Sequence, residues 1–213
     1  MAHLVGIDVT VGADGIPRCG WAGDSEGGLA RYHDEVWGTR TYDESALFEA
    51  LTLGVFQSGL SWRVVFSKRD GFRQAFKGFD VARVAAFTQP EIERLAEDQS
   101  IIRNRGKIRA TVDNARVMIS ASPQLPVLVR RYASSRKRAP LHLSDLPTAT
   151  PQAEALTAEL KSQGYRYVGP TSVYAFMQNV GVVNDHLHGC FRASDYRSGG
   201  HDLSGGHTTS DKL

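Results

Sequence analysis

Cysteine is almost missing from this chain of 213 residues: only Cys19 and Cys190 occur, near opposite ends. One possible bridge cannot make a disulfide scaffold, and the start Met1-Ala2-His3 lacks the charged and hydrophobic regions of a secretory leader. Free or metal-bound thiols in a reducing, cytoplasmic setting are therefore expected. Long apolar runs are missing too: no stretch approaches the ~20 residues needed to cross a bilayer, so no membrane partner is expected. A charge excess is also lacking, since 25 Lys and Arg against 23 Asp and Glu leave only +2. Global charge thus announces no nucleic-acid partner. No internal repeat or low-complexity core segment is visible. What remains, with 41% hydrophobic residues, is enough to bury a substantial core in one domain or two closely packed lobes.

Strand signals are scarce and helical ones dominate. Thr41 with Glu44 resembles a capping box, followed by Leu47, Phe48, Leu51 and Val55 at helical spacing until Gly59. Further starts are expected at Asp80, at Thr88 ahead of Pro90, and at Thr150 ahead of Pro151 with a stop at Gly164. Two more helices are predicted from about Lys107 to Ile119 and from Thr171 to about Val180. The sum is an all-α domain of about eight helices. Extended chain is expected only in residues 1–17 and at Tyr165-Arg166-Tyr167-Val168. From Ser194 to Leu213 the chain is rich in Gly, Ser, His and Asp and predicts a disordered tail, which makes His201 and His207, like His3, poor ligand candidates.

Charge distribution says more than net charge. Arg103, Arg105, Lys107, Arg109 and Arg116 cluster against the single acid Asp113, and five more cations lie between Arg130 and Arg138. For Arg136-Lys137-Arg138 a solvated surface is the expectation. The segment Ser100-Ile101-Ile102-Arg103-Asn104-Arg105-Gly106-Lys107-Ile108 reads as a helix end, a tight turn and a new helix that opens on cations. Such a turn offers backbone N–H groups and a positive helix terminus to a phosphate. Any exposed interhelical loop can be basic, so spacing does not decide the matter.

Each cysteine also lies near a histidine: Cys19 precedes His33 by thirteen intervening residues, and His186 precedes Cys190 by three. Two thiolates and two imidazoles could close a tetrahedral Zn²⁺ site with no open position. Two buried free cysteines beside unrelated histidines would give the same spacing. Residue types and spacing leave both possibilities standing.

Several blocks in order resemble the 3-methyladenine DNA glycosylases I. They are Arg18-Cys19-Gly20-Trp21, Tyr32-His33-Asp34-Glu35 with Trp37-Gly38, Leu47-Phe48-Glu49, Gln57-Ser58-Gly59-Leu60-Ser61-Trp62, Ile101 through Ile108, and Gly169-Pro170-Thr171 through Asn184-Asp185-His186 to Gly189-Cys190. The resemblance spans about residues 18–191 and sets residues 1–17 apart as an N-terminal extension. It implies a helix-hairpin-helix glycosylase fold with a structural zinc on Cys19, His33, His186 and Cys190. It implies DNA contact through Arg103, Arg105, Gly106 and Lys107, and a base pocket at Tyr32 and Trp62 with Trp21 nearby. Trp37 is expected to be core packing. The implied activity is excision of 3-methyladenine from alkylated double-stranded DNA, by a cytoplasmic, nucleoid-associated monomer. An N3-alkylated adenine is cationic and a good leaving group, so flipping and holding it over aromatic faces suffices.

The chain departs from the family at Gly54, where an ungapped alignment of Gln57 through Trp62 places the family's base-recognising glutamate. Losing a hydrogen bond to a charged group costs about 1.5–3 kcal/mol, so recognition of the small methylated base is expected to weaken about ten- to a hundredfold. Glu49 lies about 140° further round the helix and cannot substitute. Ser100, where glycine is common, predicts a slightly remodelled hairpin entry. Two expectations follow: an active glycosylase with an opened pocket for a bulkier alkylated purine, or a non-catalytic lesion-binding paralogue.

Overall fold

The computed structural model describes residues 8–23, 28–134 and 138–196, the last three of them as backbone only. His3, His201, His207, Arg136, Lys137 and most of the tail predicted from Ser194 lie outside the described residues. Within them the chain opens on an antiparallel hairpin, β1 (Val9–Val11) against β2 (Pro17–Cys19), with Val9 opposite Cys19. The buried Arg18 guanidinium locks this hairpin to the next helix, pairing with Asp14 and Asp34 at 2.7 Å each.

Ten α-helices follow among the described residues: α1 (Leu29–Glu35), α2 (Glu44–Gln57), α3 (Trp62–Phe66), α4 (Arg69–Ala75), α5 (Val81–Ala85), α6 (Gln89–Glu97), α7 (Arg105–Ser120), α8 (Leu125–Arg131), α9 (Pro151–Ser162) and α10 (Pro170–Asn179). Asp80 and Thr150 cap α5 and α9 as their sequence signals predict, and Thr88 with Glu91 forms the box that opens α6. The start of α2 differs by two residues. Asp43 accepts from the Ala46 N–H at 2.8 Å, while Thr41 instead accepts from the Asp43 N–H. The helices missing from the sequence expectation, α1, α3, α4 and α8, span only five to seven residues, too short to display a period. Tyr165–Val168 is irregular rather than a strand, with Tyr167 at φ 58°.

The central helix α2 is buried through Leu47, Phe48, Leu51, Leu53, Val55 and Phe56, with α7 and α8 against it and α10 joining it to α9. Phe72, Phe79 and Phe87 stack on Phe76 while Phe56 tilts against it, filling the space between α2, α4 and α5. α6 and α7 form the expected helical hairpin, joined by residues 98–104. At its entry Ser100 needs no positive φ; its N–H donates to Asp98, and Gly71 packs so closely that a Cβ there would come within 2.3 Å of the Ser100 carbonyl oxygen. Serine is therefore accommodated by the helix opposite, not by a strained turn.

Lys107 corrects the expectation that its side chain meets DNA. Its stem is buried and its Nζ donates to the Phe56 carbonyl at 3.1 Å and the Ser58 carbonyl at 2.7 Å. These are orphan acceptors at the C-terminus of α2, where a cation is favoured. Burial pushes the ammonium pKa below its usual value. Lys107 is a strut fixing the start of α7 to the end of α2. Lys107→Met should therefore lower the unfolding free energy by about 1–3 kcal/mol in urea titrations, because two carbonyls lose their donor.

Candidate active site and metal centre

Four side chains from both ends of the chain converge. Cys19 ends β2, His33 lies on α1, and His186 and Cys190 follow α10; all four are buried, with ligand atoms within 4.8 Å of one another. Cys190 Sγ stands 3.4 Å from His33 Nε2 and 3.7 Å from His186 Nδ1, and Cys19 Sγ stands 3.8 Å from His186 Nδ1. His33 Nδ1 is bonded to Asp34 at 2.8 Å, which turns Nε2 toward the cluster. The Leu187 N–H donates to Cys19 Sγ at 3.4 Å. Gly38, at φ 75°, leaves room for His186: a Cβ there would fall 2.7 Å from Nε2. The quartet could hold a metal ion, and all four donors are of the soft or borderline kind that transition metals prefer.

The cluster and the aromatic residues are one packed unit. Trp37 lies edge-on to His186 at 4.5 Å between ring centroids, and Trp21 packs on His33 at 5.4 Å and on Trp37 at 5.0 Å. Trp21, Trp37 and Trp62 together line a cavity of about 480 Å³. Leu29, Leu143, Leu146 and Ala175 complete its apolar wall, while Gln57, Gln178, Asn179, Arg63 and Asp185 supply polar groups. Trp37 is thus a cavity wall, not the core residue expected. Asp185, which sequence reasoning did not single out, is the lining carboxylate; it accepts from Tyr174 and from Gln178 Nε2 at 2.7 Å. Its place directly before His186 was the available signal.

Tyr32 stands behind Trp62 instead of lining this cavity. Its ring lies 5.5 Å from Trp62 and 5.0 Å from Phe66, its hydroxyl donates to Asn179, and burial raises its pKa. The Arg69 guanidinium covers one face at 5.0 Å, held in turn by Glu49 at 2.6 Å. Glu49 is therefore committed to Arg69 and Arg73.

Gly54 is buried in the middle of α2, and nothing forces it to be small. A Cβ would meet only the Ser172 carbonyl oxygen, at 3.8 Å. It opens instead onto a cavity of about 270 Å³ that shares Gln57 and Ala175 with the tryptophan-lined one. Leu60, 42% exposed, stands at the rim of this second cavity in the loop between α2 and α3. The hairpin presents Arg103, Arg105 and Gly106 at the surface; Asn104 caps α7 through the Lys107 N–H, and Arg105 pairs with Glu93 at 2.7 Å.

The model of the family described as methyladenine glycosylase matches residues 21–193. The chain is 40% identical over 178 residues to DNA-3-methyladenine glycosylase 1 of Escherichia coli, covering 81% of this chain and 95% of that one. It is 35% identical over 178 residues to the DNA-3-methyladenine glycosylase of Haemophilus influenzae, covering 81% and 96%. A crystal structure of 3-methyladenine DNA glycosylase I superposes with a TM-score of 0.76 at 38% identity, over 82% of this chain and 98% of that one. The Staphylococcus aureus enzyme, solved to show how it recognises 3-methyladenine, gives 0.72 at 30% identity, over 78% and 90%. With sequence and helical architecture pointing the same way, the chain belongs to the methyladenine glycosylase family.

Proposed function

We propose that this chain is a monofunctional DNA glycosylase that excises N3-alkylated adenine, and that its pocket takes substituents larger than methyl. The observation that carries this is the cavity of about 480 Å³ walled by Trp21, Trp37 and Trp62, a volume suited to a flipped purine. A cationic base held among indole faces out of water gains on the order of 2 kcal/mol per close contact. The Asp185 carboxylate in the same wall adds favourable charge. The C1′–N9 bond then breaks with its electron pair leaving on the base, whose positive charge is neutralised. Water bonds to C1′ and releases a proton to solvent.

The enlarged specificity rests on Gly54. The cavity beside Gly54, where the resemblance places the family's glutamate, borders the base cavity along Gln57 and Ala175, and a longer N3 substituent would reach into it. The same absence removes a charged hydrogen-bond partner for the methylated base. Base release from DNA carrying N3-methyl or N3-benzyl adenine should show slow methyl and comparable or faster benzyl excision. Gly54→Glu, for which a Cβ fits, should reverse that preference. Rapid methyl excision by the wild type would contradict the opened-pocket account, and no release of either base would favour lesion binding without catalysis.

DNA is gripped by the α6–α7 hairpin, with Arg103, Arg105 and the backbone of Gly106 meeting phosphates and Leu60 filling the gap the flipped base leaves. Arg103→Ala should weaken binding to unrelated duplexes equally and reduce the log Kd against log salt slope by about one. Lys107→Met should leave that slope unaltered, since its ammonium faces α2.

The four-ligand cluster is assigned as structural zinc. Tetrahedral bonds of about 2.3 Å to sulfur and 2.0 Å to nitrogen put S and N about 3.5 Å apart, close to the 3.4, 3.7 and 3.8 Å found. When bound, the ion would neutralise both thiolates and join the chain ends, supplying no chemistry to the base. One zinc per chain is expected by plasma emission, and Cys190→Ala should lose the folded state as well as activity; protein folded and active without metal would contradict this.

A further inference from the structure

The loop from Arg138 to Thr150 contains only the short turn Leu143–Asp145, yet it places Leu143 and Leu146 in the wall of the tryptophan-lined cavity. It is folded on itself by Asp145, which accepts from the Leu141 and His142 N–H groups at 3.1 and 2.9 Å. Two ties fix it to the rest of the protein. The His188 N–H, between His186 and Cys190, donates to the Pro140 carbonyl at 2.8 Å. On the other side His142 Nδ1 bonds to Asp8 Oδ2 at 2.8 Å. Asp8 is itself fixed, because the Gly20 N–H donates to its carbonyl at 2.7 Å and its neighbour Val9 pairs with Cys19. The loop is thus suspended between the two chain ends that the Cys–His cluster brings together.

Asp8 precedes the residues matched by the family model, which begin at 21. Asp8, in the N-terminal extension, therefore supports this loop from outside the residues that carry the family resemblance. We propose that Asp8, acting through His142, is a positioning residue that sets Leu143 and Leu146 against the alkyl group of the flipped base, so that the N-terminal extension tunes which alkyl lesion the enzyme prefers. This rests on the cavity being the base pocket. Leu143, 41% exposed, is held at the mouth and Leu146 deeper, an arrangement that rewards a longer apolar substituent more than a methyl group.

The test is single-turnover excision by the full-length protein on DNA carrying N3-methyl or N3-benzyl adenine, resolving the half-saturating concentration from the maximal rate. For a partly exposed pair, Asp8→Asn and His142→Gln should each raise the half-saturating concentration for the benzyl lesion about two- to fivefold, leaving the maximal rate and the methyl lesion little changed. The two changes together should cost no more than either one, and the exchange Asp8→His with His142→Asp should restore the wild-type value. Leu146→Ala should weaken binding of the benzyl lesion more than of the methyl lesion without touching the pair. Equal effects on both lesions, additive effects, or none would overturn the proposal. Trp62→Ala keeps this separable from the pocket assignment: if it abolishes excision of both lesions while the Asp8 variants behave as wild type, only the positioning role fails, and if it leaves excision intact, the pocket assignment itself fails.

Discussion

The convergence of Cys19, His33, His186 and Cys190 is the constraint on which the site depends. It joins a hairpin and first helix from one end of the chain to the segment after α10 at the other, and its own histidine rings are the surfaces on which Trp21 and Trp37 pack. Those indoles pack against the cluster and also line the cavity. Moving any of the four side chains would move a pocket wall. The close approach at Gly38, where even a methyl group would meet His186, shows how little slack the arrangement has.

Around that tie the remaining parts are held by single, well-placed contacts. Lys107 fixes the hairpin to the end of α2, and so fixes the surface bearing Arg103 and Arg105 relative to Leu60 and the cavity mouth. Tyr32, wedged between Arg69, Phe66 and Trp62, supports the third indole from behind. Gly54 borders a neighbouring cavity, and the loop carrying Leu143 and Leu146 lines the tryptophan-walled one while tied through His142 to Asp8, which precedes the residues matched by the family model.

Much of this was legible in the sequence, because caps and periodicity are local. Asp80, Thr88 and Thr150 mark their helices, and α7 and α10 show their apolar faces openly. The ligand quartet could be named only through the family resemblance, since its spacing has a plain alternative. Short helices such as α3 and α4 escaped because one turn and a half carries no period. Lys107 was misplaced for a different reason: a lysine at a basic helix start looks the same in sequence whether it faces phosphate or a neighbouring helix end. The direction depends on α2 lying alongside, which is a tertiary fact. Trp37, Asp185 and the Asp8–His142 tie are likewise contacts between segments far apart in the chain.

A structure of the protein with abasic-site DNA and free 3-methyladenine tests the central claim most directly. The account predicts the purine between Trp62 and the Trp21–Trp37 wall, with Leu60 in the duplex gap and Arg103 on the backbone. A base seated instead in the neighbouring cavity of about 250 Å³ lined by Tyr32, Glu49 and Arg69, or DNA lying across a surface away from the α6–α7 hairpin, would contradict it.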